Sequence, residues 1–428
     1  MIIGAIFARM ANIAWLAPIG RLAARAFLQF QPYLLHVDQP ANGVVENSAD
    51  TIQGWFVAAR TNDQEIVLQL AGVTLTFVPV ERPDAKRIFG KSVTGFRAVV
   101  DTNEIALTPA AHGKDKNLQL VASGRVVASK PLRLLALDTA VAEASLHKRG
   151  AKREWLKQHL ACPSCDAQTT PLVFEGDKIY CQACQASFEN HGKVFNFLPE
   201  KFKREFQIAG WDNISAHSYD EVAKAVVEQA RSNGGKVLDC GSGLRPYVDE
   251  TVICLEVEEF PNVDVLGVNQ KLPFQNEVFD AVLSLNVLEH VTDPFSCARE
   301  LVRVLKPGGT LYCCIPFLQP EHGYPDHYFN ATRSGLKQLF SRDLELLRHF
   351  VPASGEPIWS LHWFLSWYAR ELPLAEKTSF LNMRVQDILA NSAQAMLQEP
   401  WVRRLSDDGK WSLAASTAAL FRKVAEEQ

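Results

Sequence analysis

The chain has 428 residues, of which 47% are hydrophobic and 21% charged, and its formal net charge is −4. This mixture is typical of a globular protein with several cores and excludes a largely disordered chain. The acidic balance argues against broad binding of nucleic-acid phosphates, and no apolar run reaches the roughly 18–20 residues of a membrane-spanning helix. The nine cysteines form no regular disulfide framework, which predicts a reducing, cytoplasmic compartment.

The first 37 residues contain Arg9, Arg21 and Arg25 and no acid. Arg21 and Arg25 are about one helical turn apart, so an amphipathic helical segment is predicted over residues 1–37. One interpretation is a peripheral contact of residues 1–30 with the anionic inner face of a membrane. A helix docked on its own protein and a cleaved targeting peptide are the alternatives.

Residues 42–136 alternate short β-branched runs with Gly, Asn and Asp, which predicts an all-β, sandwich-like module of five to seven strands. Three short elements, Gly54-Trp55, Arg82-Pro83-Asp84 and Gly95-Phe96, resemble a β-module found beside glycosyltransferase and methyltransferase domains of bacterial surface-polysaccharide pathways. The resemblance implies a module that holds a glycan or a partner enzyme. A structural spacer is the alternative.

A helical linker is predicted over residues 138–160. Its second half carries five basic residues: Lys148, Arg149, Lys152, Arg153 and Lys157. Such a run is usually a solvated helix face, and binding of phosphate or an acidic lipid is the alternative.

Four cysteines are spaced as metal ligands. Cys162 and Cys165 form one C-x-x-C pair, and Cys181 and Cys184 form a second. Two such knuckles can present four thiolates to one tetrahedral ion, which predicts a structural Zn²⁺ holding a ribbon over residues 160–199. The same stretch resembles the small zinc-ribbon activator proteins of methyltransferases, which implies a scaffold built into this chain.

An apolar strand over residues 236–240 runs into a turn with two glycines, Gly241 and Gly243. These glycines permit close approach of a ligand at the cofactor edge of a doubly wound sheet. A second predicted strand ends at Glu256, whose carboxylate can accept both hydroxyls of a ribose. Strands, turns and helices alternate up to residue 316, with a buried fourth strand over Phe279–Leu285 and a fifth over Thr310–Pro316, which predicts an α/β Rossmann-like sheet.

Four ordered motifs follow: Leu272-Pro-Phe274, Phe279-Asp-Ala-Val282, Leu288-Glu-His290 and Arg303-Val-Leu-Lys-Pro-Gly-Gly309. With them the run 236–316 resembles class I S-adenosylmethionine-dependent methyltransferases of the type 11 branch. The resemblance implies a seven-stranded methyltransferase sheet over residues 205–428, with a helical insertion over 355–405 and a last strand over 413–423.

The same resemblance implies which residues bind S-adenosyl-L-methionine. Asp239, Gly241 and Gly243 are expected to hold its methionine end, and Glu256 its ribose. Val268 stands where the family has an acid near the adenine, so Asn269 is expected to substitute for it. Asn286 completes the expected cofactor-binding set.

Polar residues that follow the fourth and fifth predicted strands are candidates for removing a proton from a methyl acceptor. Glu289 and His290 follow the fourth strand, and His322 and Asp326 follow the fifth. Because carboxyl ends of parallel strands meet at one edge, both pairs are expected to line one pocket. Ion pairing or capping for Glu289 and core packing for His290 are the alternatives. Asn286 replaces the first Glu of the E-x-x-E-H motif of some quinone O-methyltransferases, which argues against a catalytic metal.

These observations predict a multidomain, cytoplasmic methyltransferase that uses S-adenosyl-L-methionine and structural Zn²⁺. The expected acceptor is a small molecule or glycan, namely a saccharide or lipid-linked intermediate of the cell envelope that is methylated on oxygen. An RNA methyltransferase is one alternative, because zinc ribbons also precede that chemistry, although the acidic charge opposes a nucleic-acid partner. A non-catalytic scaffold is the other, because Val268 and the short turn after Gly243 depart from the family pattern.

Overall fold

Two units make up the fold in the computed structural model of the chain: Met1–Leu285 with Arg303–Tyr312, and Asn286–Val302 with Cys313–Gln428. The described residues are 33–40, 44–45, 51–58, 66–75, 77–80, 82, 85–86, 89, 93–101, 105–107, 115–134, 139–165, 171–190, 193–199, 202, 218–245, 248–323, 326–340, 342–391 and 393–413.

Between residues 33 and 134, the part of the chain that the structure describes contains nine strands, which pair into two sheets. They are β1 (Tyr33–Gln39), β2 (Val44–Val45), β3 (Thr51–Ala58), β4 (Ile66–Leu70), β5 (Val73–Leu75), β6 (Phe77–Val80), β7 (Val93–Val99), β8 (Asp115–Ala122) and β9 (Arg125–Leu134). The sheet orders are β1-β3-β7-β6 and β2-β9-β8-β4-β5. One buried cluster draws on both sheets, with Phe56 and Phe96 from the first and Leu68, Leu118 and Leu120 from the second. Burying each such side chain stabilises the fold by about 1.5–3 kcal/mol, so the shared core holds the two sheets together.

The strand β1 corrects the helical prediction for the end of residues 1–37. Tyr33 pairs with Ala58 and Val37 with Gly54 in an antiparallel ladder. Local spacing could not reveal this strand, because its partner β3 lies further along the chain. A Cβ at Gly54 would stand 2.0 Å from the carbonyl oxygen of His36, so glycine permits the approach of the two strands. Residues 1–32 of the predicted segment lie outside the described residues.

The linker helix α1 (Thr139–His159) corrects the expectation of a solvated basic face. Lys152 is only 1% exposed, and its Nζ lies 2.5 Å from Oδ2 of Asp264. The guanidinium of Arg153 stacks 4.0 Å above the ring of Phe195. Complementary partners on the sheet therefore hold these cations against the protein.

A nine-stranded sheet follows in the described residues, and the predicted α/β Rossmann-like architecture is confirmed. The seven-stranded prediction is corrected, because only five described strands of this sheet lie within residues 205–428 and the other four belong to the four-cysteine segment. The nine strands are β10 (Leu172–Glu175), β11 (Lys178–Cys181), β12 (Ser187–Asn190), β13 (Phe195–Asn196), β14 (Val237–Cys240), β15 (Val252–Glu256), β16 (Val265–Leu266), β17 (Phe279–Leu285) and β18 (Leu305–Cys314). The order is β10-β11-β12-β13-β16-β15-β14-β17-β18. The strands β10 to β13 are antiparallel, and β13 joins β16 in parallel. The four-cysteine segment is thus continuous with the Rossmann-like sheet rather than a separate body.

Helices supply the remaining regular structure of the described ranges. They are α2 (Glu221–Ser232), α3 (Pro294–Val304), α4 (Arg333–Phe340), α5 (Pro357–Arg370), α6 (Leu374–Leu381), α7 (Val385–Leu389), α8 (Ala393–Met396), α9 (Pro400–Arg403) and α10 (Asp407–Ser412), with 3-10 turns at Leu288–His290 and Ala353–Gly355. A small core of Ala369, Leu372, Phe380 and Leu405 holds α5, α6 and the segment after α9 together. No described helix combines the length and the apolarity needed to span a bilayer. The predicted last strand, 413–423, lies outside the described residues except for Leu413.

Candidate functional site

The turn after β14 has the backbone geometry that its glycines permit. Gly241 and Gly243 adopt φ angles of +80° and +60°, in the left-handed region that disfavours residues with a Cβ. The N–H groups of Gly241 and Ser242 both donate to the carbonyl of Leu255 at the end of β15. These two hydrogen bonds fix the turn to the neighbouring strand. Because its glycines carry no side chains, a ligand can approach the backbone of the turn closely.

Glu256, the last residue of β15, is held by this turn. One carboxylate oxygen accepts the N–H of Gly243 and the other that of Val257, each at 2.8 Å. Burial raises the pKa of Glu256, although the two N–H donors oppose the shift. Each oxygen keeps a further lone pair, so the oriented carboxylate fits the two hydroxyls of a ribose.

Asp239 is fully buried in β14, and its two oxygens have different environments. Its Oδ2 accepts the hydroxyl of Tyr219 at 2.5 Å and the Nε–H of Arg245 at 3.2 Å. Its Oδ1 has no hydrogen-bond partner among the described residues. Burial raises the pKa of Tyr219, which stays a donor, and Asp239 raises the pKa of Arg245 against the effect of burial. The uncommitted Oδ1 fits a cationic donor such as the amino group of a methionine moiety.

Tyr219 and Arg245 are site residues that the sequence reasoning missed. The guanidinium of Arg245 lies 4.6 Å above the ring of Tyr219, and only 7% of the Arg245 side chain is exposed. Arg245 could have been predicted as a site residue because it lies only two residues after the glycine turn. Nothing in the spacing marks Tyr219, which precedes α2.

The two asparagines of the expected cofactor-binding set lie in different units. Asn269 is buried, and its Oδ1 accepts the thiol of Cys240 at 3.1 Å. Asn286 has a φ of +56°, a conformation that asparagine tolerates better than most residues. Its N–H donates to the carbonyl of Cys314 at 2.9 Å. Their contact with a cofactor stays a prediction.

In the second unit, Glu289, His290 and His322 form a polar cluster. One potential ligand atom from each residue lies within 4.8 Å of the others. The N–H of Tyr328 donates to the backbone carbonyl of Glu289 at 2.6 Å and so joins the two segments that supply the cluster. The structure does not bring the carboxylate of Asp326 into it: that side chain is exposed and accepts the hydroxyl of Tyr328.

Burial sets the charge of this polar cluster. It raises the pKa of Glu289 to about 8, and no other described residue hydrogen-bonds to either oxygen of that carboxyl. Burial also lowers the pKa of His290 and of His322. The three side chains therefore favour their neutral forms near neutral pH when nothing else is bound.

The four predicted cysteine ligands converge at the edge of the ribbon strands. The sulfur atoms of Cys162 and Cys184 are 3.7 Å apart, and those of Cys165 and Cys181 are 3.8 Å apart. These separations far exceed a disulfide bond of about 2.05 Å. They match the roughly 3.8 Å between ligands of a tetrahedral ion bound at about 2.3 Å from each sulfur, so the residues fit Zn²⁺.

Comparison with known proteins finds one sequence family that the central region resembles. Residues 250–313 match the sequence family described as a methyltransferase domain. This region is similar to a methyltransferase domain. The match includes β15, β17 and the Leu288–His290 turn.

Individual relatives match only in part. A tRNA U34 carboxymethyltransferase from Desulfotalea psychrophila is 28% identical over 27% of this chain and 41% of its own length. Cycloartenol-C-24-methyltransferase 1 from rice (Oryza sativa subsp. japonica) is 41% identical over 16% of this chain and 18% of its own. The chain thus spans less than half the length of both. A solved complex of the Haloferax volcanii Trm112 methyltransferase activator with a methyltransferase aligns at 18% identity and a TM-score of 0.22, over 32% of this chain and 76% of that one.

Proposed function

We propose that the protein transfers a methyl group from S-adenosyl-L-methionine. The observation that carries the proposal is the geometry of the glycine turn after β14. The N–H of Gly243 in this turn donates to the carboxylate of Glu256 at 2.8 Å. Glu256 lies within residues 250–313, which match the methyltransferase family. When bound, the cofactor supplies a methyl group on a cationic sulfur. Glu256 orients the ribose, and Asp239 offers Oδ1 to the amino group.

Calorimetric titration with S-adenosylmethionine and its demethylated product tests this proposal. We expect binding by the wild-type protein and at least about tenfold weaker binding by Glu256→Gln, a loss of roughly 1.4 kcal/mol. Glu259→Gln, an exposed neighbour in the same loop, is the matched control and should bind as the wild type does. A folded wild-type protein that binds neither compound would instead favour the non-catalytic scaffold.

The proposed acceptor is a hydroxyl group of a saccharide or of a lipid-linked envelope intermediate. The two-sheet module at residues 33–134, with its resemblance to modules of polysaccharide pathways, supports it, as does the net charge of −4. Transfer of a labelled methyl group to glycan fractions, abolished by Glu256→Gln, is the expected result.

RNA is the second candidate acceptor, because one relative is named as a tRNA carboxymethyltransferase. RNA binding would weaken steeply with added salt, since phosphate contacts release counterions. Methylation of an RNA fraction together with such salt dependence would replace the glycan proposal. Labelling of glycan but not RNA would exclude this alternative.

The four-cysteine cluster is proposed to bind a structural Zn²⁺. Its sulfur separations support the assignment, and four thiolates saturate the ion. Because the ribbon strand β13 pairs with β16, a metal here would also support the edge of the cofactor-binding sheet. The expected contact with a partner enzyme stays a prediction.

A further inference from the structure

The polar cluster of Glu289, His290 and His322 has a feature that proton transfer alone does not explain. Glu289 is fully buried, and no other residue of the described chain donates a hydrogen bond to either of its carboxylate oxygens. Leaving a buried polar group unpaired is destabilising, and more so when the group is charged. Such a carboxyl in a native fold calls for a partner.

The two histidines are held in the tautomer that a metal ion requires. Nδ1 of His290 lies 2.9 Å from the carbonyl oxygen of Asp326, and Nδ1 of His322 lies 2.8 Å from that of Pro320. A carbonyl only accepts, so each Nδ1 carries the proton and each Nε2 presents a lone pair. Hydrogen bonding of the second ring nitrogen to a backbone carbonyl is the usual support of a metal-bound histidine.

The Nε2 of His290 lies 3.8 Å from Oε1 of Glu289, and one potential ligand atom of each of the three residues lies within 4.8 Å of those of the other two. Ligand atoms of a tetrahedral zinc site are about 3.3 Å apart, given bonds of about 2.0–2.1 Å. Side-chain movements of about 1 Å would therefore close the cluster around an ion.

We propose that Glu289, His290 and His322 form a second metal site, distinct from the four cysteines, that binds a divalent transition-metal ion. This proposal revises the expectation that Asn286 argues against a metal at the Glu289-His290 motif, because His322 from a later loop supplies the third ligand instead. Two imidazoles and one carboxylate suit zinc-type ions better than Mg²⁺, which prefers oxygen ligands and water. Three protein ligands leave a coordination position open, whereas the four-cysteine site is closed. The inference is independent of methyl transfer.

His327 provides a matched control on the same loop. Its Nδ1 accepts the N–H of His322, and its Nε2 lies 3.1 Å from the carbonyl of Phe329 and 3.0 Å from Oδ1 of Asn330. Both ring nitrogens are thus engaged, although the ring stands only 4.5 Å from that of His322. It is near the cluster but offers no ligand atom.

Zinc titration of the full chain, followed by removal of weakly bound ions and metal analysis, tests the site. We expect two equivalents in the wild-type protein and in His327→Gln, and one in Glu289→Gln and in His322→Ala. The equivalent on the cysteines reports that each variant still folds. Two equivalents retained by both ligand variants would overturn the proposal.

X-ray absorption of the zinc-loaded wild-type protein gives a test without any substitution. The proposal requires a shell of nitrogen and oxygen atoms at about 2.0–2.1 Å in addition to sulfur at about 2.3 Å. A nitrogen–oxygen shell without sulfur would support this site while contradicting the zinc ribbon. A spectrum with sulfur ligands alone would overturn the second site.

Discussion

The four-cysteine cluster and the polar cluster of Glu289, His290 and His322 are both sets of potential metal ligands, but they are encoded differently. The cysteines form two C-x-x-C pairs, and their residue type and spacing alone predict a metal site. Glu289 and His290 are adjacent in sequence and meet His322 only after the chain has passed through α3 and β18. Local spacing reveals the first cluster, and only the fold assembles the second.

The largest effect is expected from Cys181→Ser. A lost thiolate ligand removes the ion that holds the ribbon, so we expect loss of one zinc equivalent and more than about 4 kcal/mol of unfolding free energy. Metal analysis and urea unfolding measure the two quantities. Ser164→Ala changes an exposed side chain in the Cys162–Cys165 knuckle and should leave both unchanged. A stable, zinc-free Cys181→Ser protein would show that the ribbon folds without metal.

The next largest effect is expected at the buried ion pair of Lys152 and Asp264, which the sequence of the linker helix does not reveal. Lys152→Met keeps the apolar stem but leaves Asp264 buried without its 2.5 Å partner, which should cost about 3–5 kcal/mol. Lys148→Met, one turn earlier on the exposed face of α1, should change stability by less than about 0.5 kcal/mol. Equal urea midpoints for the two variants would mean that the pair contributes nothing.

The buried Lys152 and the exposed Lys148 illustrate which features of the fold could be predicted from the sequence and which could not. The strand Phe279–Leu285 and the end of β15 at Glu256 were predicted, because short apolar runs are local signals. The strand β18 was placed at 310–316 but begins at Leu305 and includes Pro307 and Gly308, two residues that indicate a turn in a sequence. The burial of Lys152 depends on Asp264, more than a hundred residues away, and no local periodicity contains that partner.

A smaller effect is expected at the polar cluster. Gly323 has a φ of +94°, and a Cβ there would stand 2.2 Å from Cε1 of His290. Gly323→Ala should therefore displace the His290 ring, remove the second zinc equivalent and cost about 1–3 kcal/mol. Gly335 lies in α4, where an added Cβ would make ordinary van der Waals contacts of 3.4 and 3.6 Å, so Gly335→Ala should stabilise by about 0.5–1 kcal/mol. Two zinc equivalents in Gly323→Ala would contradict the proposed role of His290.

The smallest effect tests how the buried acid of β14 is used. Tyr219→Phe removes the hydroxyl that donates to Oδ2 of Asp239 at 2.5 Å, while Arg245 still pairs with that oxygen. We expect a loss of about 1.5 kcal/mol of unfolding free energy, typical of a hydrogen bond to a charged group. Tyr180→Phe, with a 39% exposed side chain in β11, should have little effect on urea unfolding.

Cofactor binding by Tyr219→Phe then separates two roles for Asp239. If Oδ2 is committed to Tyr219 and Arg245 and only Oδ1 serves the cofactor, the affinity for the demethylated product should stay within about twofold, less than roughly 0.4 kcal/mol. A tenfold loss of affinity with unchanged stability would mean that the hydroxyl acts on the ligand rather than on the fold. Ligand binding at Asp239, which the sequence predicts to contact the cofactor, would then also require the hydroxyl of Tyr219. Tyr219 lies twenty residues earlier and contacts Asp239 only in the folded chain.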